Sequence, residues 1–351
     1  MWRPCGVMDI NYSQDITIFR TGLQKVSFLL LILIAYICPV IFFPENLLAM
    51  LILMVITIIP MQGLNIITGF CGQIALGQSA FMAVGGYAAA KLAVGLNVPF
   101  IVALPLSGLV AAGIGMIFGL PSLRVRGFYL ALATIAAQFI IIWGIFHGGK
   151  FTGGIYGLQL PEASILGFVF DTDVRFYVLA LTVLLSMSFL AKSIERSKLG
   201  RAFIAVRDND LAAEVMGINV YQYKLLAFFM GSFYAGIAGA LWAHYVTVVH
   251  PEQFSLMDSI WYLGFLVVGG LGSALGPIAG GVIFVGLKEI LATITPIIGG
   301  MIPALTETIS ASLALMAYAL VIMIFLIFEP RGVDHRIQLL KTYYRRWPFA
   351  K

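Results

Sequence analysis

Gly144-Ile145-Phe146-His147-Gly148-Gly149-Lys150 has the glycine and lysine spacing of a loop that cradles phosphates. Phe151 follows where a Ser or Thr hydroxyl would hold magnesium, so the pattern is set aside. Gly77-Gln78-Ser79-Ala80 begins like the turn that exposes a hydrolase serine, but Phe81 replaces the closing glycine and no strand pattern precedes it. His147, His244, His250 and His335 are dispersed and assemble neither a catalytic triad nor a zinc site. Cys5, Cys38 and Cys71 are equally scattered and read as small apolar side chains, outside any disulfide framework or metal cluster. The sequence therefore predicts no catalytic residue, no metal and no cofactor on this chain.

What remains is polar and neutral. Asn65, Thr68, Gln73, Gln78, Ser79, Gln138 and His244 stand inside long apolar runs. Such groups line a path for a small zwitterionic or polar solute, or they bond neighbouring helices, and the sequence leaves both readings open. Ionisable residues are sparse in the same runs. Lys91, Asp258, Lys288, Glu289 and Glu307 fall toward the ends, where they reach an interface, and no pair at one depth suggests a membrane-embedded enzyme.

The elements that must position these residues follow from composition. Of 351 residues, 61% are hydrophobic and 11% charged, and the mean hydropathy is +1.00. These values belong to an integral membrane protein. Backbone groups in lipid must be satisfied within the segment, and the long unbroken Leu, Ile, Ala and Gly runs predict helices rather than a β-barrel. Ten spans are predicted, at 26–43, 47–66, 77–95, 99–120, 128–146, 175–191, 225–249, 258–272, 276–291 and 309–328, with Pro296 and Pro303 interrupting helix after the ninth. Spans two to five and seven to ten then run as two inverted four-helix halves. Residues 68–90 and 269–281 are Gly-rich, and interrupted segments in corresponding halves are what a transport pathway built from inverted repeats predicts. Gly272, Gly276 and Gly280 recur every fourth residue, a seam for close helix packing.

All but Lys91, Lys150, Arg175 and Lys288 of the 21 Lys and Arg residues fall at one end of the alternating spans. By the positive-inside rule that end is cytoplasmic, and with it the N-terminal segment 1–25, the loop 192–224 and the basic tail 329–351. The first span, within the 26–328 membrane domain, has no cleavage pattern after it and is expected to be retained, with Met8 an equally good start. The loop 147–174 falls outside, where a soluble partner could dock. The net charge of +5 lies beside membrane ends and not in a basic folded domain, so nucleic acid is not an expected partner.

Within the polar loop, Asp208-Asn209-Asp210-Leu211-Ala212-Ala213-Glu214-Val215-Met216-Gly217 predicts a two-turn helix over 209–216, capped by Asp208 or Asn209 and stopped by Gly217. Asp210, Ala213, Glu214 and Gly217 share a face that is acidic and small, the expected docking face, while Leu211, Ala212, Val215 and Met216 form the apolar remainder.

Several segments together resemble the permease family of branched-chain amino acid ABC importers, the LivH and LivM type, and LivM more closely. They are Gly63-Leu64-Asn65-Ile66-Ile67-Thr68-Gly69, Gly72-Gln73-Ile74-Ala75-Leu76-Gly77-Gln78-Ser79-Ala80-Phe81, Leu123-Arg124-Val125-Arg126-Gly127, Thr152-Gly153-Gly154, Gly200-Arg201-Ala202, Ala212 to Ile218, and Gly269-Gly270-Leu271-Gly272-Ser273. The resemblance covers nearly all of 47–330. It implies a ten-helix inner-membrane permease of the vitamin B12-importer type, partnered by a second, LivH-like permease, two cytoplasmic ATPases that bind ATP and magnesium, and a periplasmic solute-binding protein. It also implies that Arg201, Arg207, Asp208, Asp210, Ala212, Ala213, Glu214 and Gly217 belong to the ATPase-coupling region. Leu211 departs from the family, whose docking pattern begins with Glu at that position. Gln78 also departs, standing where family members often carry His; because relatives transport urea, amides and other small solutes, the resemblance leaves these open as alternative substrates.

Overall fold

The computed structural model of the chain describes residues 22–125, 127–165, 168–301, 308–329 and 331–346. The expectations for residues 1–21, including Cys5 and Met8, for Arg126, Pro303 and Glu307, and for the last five residues of the tail lie outside them.

Helices occupy all ten predicted places: α1 (Gly22–Phe42), α2 (Glu45–Leu64), α3 (Gln78–Leu96), α4 (Phe100–Gly119), α5 (Phe128–His147), α6 (Asp173–Arg196), α9 (Val220–Val246), α10 (Leu256–Gly269), α11 (Gly276–Met301) and α12 (Thr308–Phe328). Between α6 and α9 the polar loop folds as α7 (Lys198–Asp208) and α8 (Asp210–Val215), and the tail forms α13 (Gly332–Arg346). Only four two-residue strands occur among the described residues: β1 (Leu158–Gln159) pairs with β4 (Val248–Val249), and β2 (Ser164–Ile165) with β3 (Phe168–Val169). The protein is an all-α integral membrane protein.

Seven helices are long and apolar enough to cross a membrane by length and composition among the described residues. The 14-residue α10 is not one of them. At 1.5 Å per residue it rises about 21 Å, short of a hydrocarbon core of roughly 30 Å. The reason lies in its start, described below. The predicted break after the ninth span is corrected, because the helical backbone of α11 continues through Pro296 to Met301.

The long helix α9 packs on α2, α3 and α4, at places where glycine removes the side chain from one or both faces. A methyl group at Gly85 would stand 2.2 Å from the Gly236 carbonyl oxygen, and one at Gly63 would stand 2.4 Å from that of Gly231. Without a hydrophobic driving force between helices in lipid, such close approach is what dispersion requires. A second cluster joins α10, α11 and α12 through Phe265, Phe284 and Tyr318, with the Phe265 and Phe284 rings 4.9 Å apart.

The predicted glycine seam is partly corrected. Gly276 and Gly280 do pack closely, against Gly269 of α10, where a methyl group would meet the Gly276 oxygen at 2.0 Å. Gly272 is not on that helix face. It sits in the break between α10 and α11 with φ +76°, a left-handed conformation that Gly adopts without the Cβ penalty.

Candidate functional site

Two helices start inside the protein rather than at its ends. After α2, residues Asn65–Phe70 widen into a π-helical turn, and the chain then runs without helix to Gly77. Helix α3 opens at Gln78, whose Nε2 donates to the Pro60 oxygen at 2.9 Å and to the Gly231 oxygen at 3.0 Å. Pro60 lies inside α2 and Gly231 near the middle of α9, so α3 begins at mid-depth. In the second half of the chain, β4 and the turn Pro251–Gln253 lead from α9 into α10, whose first turn lies beside that of α3. Ser255 caps it, its Oγ accepting from the Asp258 amide at 3.2 Å, and Asp258 Oδ2 in turn accepts from the Ser255 amide at 3.0 Å.

The two starts are tied together. The Ser79 amide donates to Ser259 Oγ at 2.9 Å, and the Ala80 amide to Gln138 Oε1 at 2.9 Å. Gln138 stands in the middle of α5 and also donates through Nε2 to the Phe254 oxygen at 3.0 Å. First-turn amides of a helix have no partner within it. Here buried side chains from other helices satisfy two of them, where water is excluded. The first Gly-rich break thus precedes α3, whereas the Gly-rich stretch 270–275 follows α10.

The predicted path residues therefore divide. Asn65, Gln78, Ser79 and Gln138 bond neighbouring helices. Asn65 reaches the second break, donating through Nδ2 to the Ser273 oxygen at 2.8 Å and accepting the Gly272 amide at 2.9 Å. Thr68 Oγ1 is buried without a protein partner. Gln73 is 4% exposed, neither of its amide atoms has a partner among the described residues, and it lines a cavity of about 310 Å³ with Arg207, Asp210 and Lys224. His244 is buried in α9, with Nδ1 at 2.9 Å from the Ala240 oxygen.

The helix predicted in the polar loop is present. Asn209 accepts the Ala212 amide at 3.1 Å as its cap, and Gly217 closes it at φ +85°. Its docking face is corrected. Ala213 is 3% exposed, and Asp210 turns inward to Lys224 at 3.5 Å. Val215 and Met216 are 89% and 83% exposed, with Leu211, Ala212, Glu214 and Gly217 also at the surface. The apolar side was not assigned outward because the buried Ala213 needs α7 and α9 in place. Arg201 donates to the Arg196 oxygen at 3.3 Å in the α6–α7 turn. Arg207 has the farthest reach: it pairs with Asp208 at 2.9 Å and donates through Nη1 to the Gly69 oxygen at 2.9 Å, beside Gly272. One guanidinium so connects the polar loop to both Gly-rich breaks. The tail helix α13 meets the second break as well, with Gly332 against Gly270.

Sequence reasoning missed one grouping. Asp258, Lys288 and Glu289, from α10 and α11, line a single cavity of about 220 Å³ with Met82, Tyr262 and Phe284. The signal was their rarity in apolar spans, read residue by residue as proximity to an end. Among the described residues no group of three or more His, Cys, Asp or Glu is placed to hold a metal.

Comparison with known proteins agrees with this architecture. Residues 46–328 match the family described as branched-chain amino acid transport system / permease component. The chain is 32% identical over 253 residues to the high-affinity branched-chain amino acid transport system permease protein LivM of Salmonella typhimurium, covering 65% of this chain and 60% of that protein. The LivM protein of Escherichia coli is 31% identical over the same shares. The guanosine ABC transporter permease protein NupQ of Bacillus subtilis is 23% identical over 55% of this chain and 59% of its own length. The chain thus spans less than two thirds of the length of the relatives it matches. No solved structure matches it. With a matched region that runs from the start of α2 to the end of α12 and contains both broken helices, the chain belongs to the branched-chain amino acid transport system permease family.

Proposed function

We propose that the chain is a membrane-spanning subunit of an ABC importer that moves branched-chain amino acids across the bacterial inner membrane, with ATP and magnesium bound by separate ATPase subunits. The observation that carries this reading is the Arg207 bridge from the polar loop to the Gly69 carbonyl. A force applied to α8 is transmitted by α7 to the two breaks, and these are where helices can move without unmaking a continuous hydrogen-bond ladder. The basic end is then cytoplasmic and carries both termini. The exposed apolar side of α8, Leu211, Val215 and Met216, meets the ATPase, and Glu214 flanks it. A LivH-like second permease completes the pathway. A solute-binding protein docks at the opposite end, on the segment that β1 and β4 pin together.

Co-expression with candidate ABC ATPase subunits and a LivH-like permease from the same organism tests the reading. Copurification and leucine-stimulated ATP hydrolysis in proteoliposomes are the expected results. Val215→Arg, Met216→Glu and Glu214→Arg should each leave membrane insertion intact and reduce ATPase capture. Full capture by all three variants would remove α8 as the docking element, and leucine uptake without any ATPase would indicate a facilitator instead.

A further inference from the structure

Lys288 and Glu289 are exposed within the spanning part of α11, and neither side chain has a hydrogen-bond or ion-pair partner among the described residues. Charges in such a position face a water-filled cavity or a protein neighbour, because lipid solvates them poorly. Both border the cavity of about 220 Å³ described above, and Asp258 lines the same cavity. The Asp258 carboxylate is held in place at the start of α10, with Oδ2 accepting from the Ser255 amide at 3.0 Å and from its hydroxyl at 2.7 Å. Its Oδ1 has no partner among the described residues. Met82, Tyr262 and Phe284 give the rest of the lining an apolar and aromatic part, beside the polar Thr57 and Gln253.

We propose that this cavity binds one α-amino acid as its zwitterion. Lys288 takes the α-carboxylate, Asp258 takes the α-ammonium with Glu289 beside it, and the apolar wall contacts an aliphatic side chain. Two carboxylates and one ammonium match a ligand that carries both signs on one carbon. A lone carboxylate would meet two like charges, and a lone amine would leave Lys288 unmatched. A neutral nucleoside brings no charge to pair with either sign and would be held by hydrogen bonds alone. The site rests on the importer reading, and it names where that importer would distinguish its solute.

The test uses the purified complex of this chain with its second permease and ATPases, without binding protein, and measures bound radiolabelled L-leucine. Unlabelled L-leucine, 3-methylbutylamine and 4-methylpentanoate compete. In the wild type L-leucine should compete at least about tenfold better than either singly charged analogue. Lys288→Gln should abolish the preference over the amine, Asp258→Asn should abolish the preference over the acid, and Lys288→Arg should retain both. Equal competition by the three ligands in the wild type, or no binding of L-leucine, L-valine or L-alanine at millimolar concentrations, overturns the site without recourse to any variant. So does unchanged discrimination in Lys288→Gln and Asp258→Asn. A complex that hydrolyses ATP yet gives one of these results loses only the site. A chain that captures no ATPase removes the importer reading, and the site with it.

Discussion

Ser259 Oγ accepts the Ser79 amide at 2.9 Å, joining the first turn of a helix from one half of the chain to the first turn of a helix from the other. Helix α3 runs from that point toward one end of the molecule and α10 toward the other. Gln138 Oε1 stands within reach of both, at 2.9 Å from the Ala80 amide and 3.4 Å from Ser259 Oγ. Polar side chains on α5 and α10 thus hold the first turns of both helices at one buried junction.

Gln138→Leu should lower the stability of the purified protein more than Ser259→Ala does. The serine variant strands one buried amide, that of Ser79, at a cost of about 1–3 kcal/mol, whereas the glutamine variant strands two groups, the Ala80 amide and the Phe254 carbonyl. Thermal unfolding in detergent reads the difference, and equal midpoints for the two variants would contradict this account of the junction.

Gly69→Ala should impair folding severely, because the added methyl would stand 2.1 Å from Asn65 Oδ1 and 2.5 Å from the Gly272 amide nitrogen. Gly113→Ala, where nothing lies within 4 Å, provides the control and should be neutral or gain up to about 1 kcal/mol from helix propensity. Yield of monodisperse protein after detergent extraction separates them.

Arg207→Gln should leave the apolar face of α8 unchanged while removing the bond to Gly69. ATPase capture should then persist with uptake reduced, by about tenfold if the lost charge-assisted bond contributes 1.4 kcal/mol to the coupled step. Parallel assays of ATP hydrolysis and leucine uptake in the same proteoliposomes expose the ratio; a constant ratio would show that Arg207 does not couple the two.

Cys71, in the turn after the π-helical segment, is 2% exposed, and burial pushes its thiol up to about 12, with Lys224 pulling weakly the other way. A group raised this far stays protonated across the physiological range, with about a thousandfold fewer thiolates at pH 8 than an ordinary thiol has. In a Cys5→Ser, Cys38→Ser background, maleimide labelling should stay negligible from pH 7 to 9 and become complete on denaturation. Rapid labelling at pH 8 in the native protein would show that this turn opens.

Much of the fold was legible because membrane helices announce themselves one segment at a time. An apolar run long enough to cross a bilayer must satisfy its own backbone, and α2, α4 and α5 begin and end within a few residues of their predicted bounds. The short helix in the polar loop was legible for a similar local reason, since Asn209 and Gly217 act on neighbours a few residues away. Exposure was not legible on that scale. Asp210 and Ala213 share a helix face by spacing alone, but whether that face meets solvent depends on Lys224, fourteen residues later on another helix.

The sequence by itself determined a helical membrane protein of one permease family, a polar loop with a capped helix, and a set of mostly neutral polar residues inside its apolar runs. Tertiary structure alone decided that Asn65, Gln78, Ser79 and Gln138 join helices, that Arg207 reaches Gly69, and that Asp258, Lys288 and Glu289 border one cavity. Caps and apolar runs act through neighbours in the chain. A hydrogen-bond partner or a shared cavity joins residues far apart in sequence, and their meeting is fixed only when the helices pack.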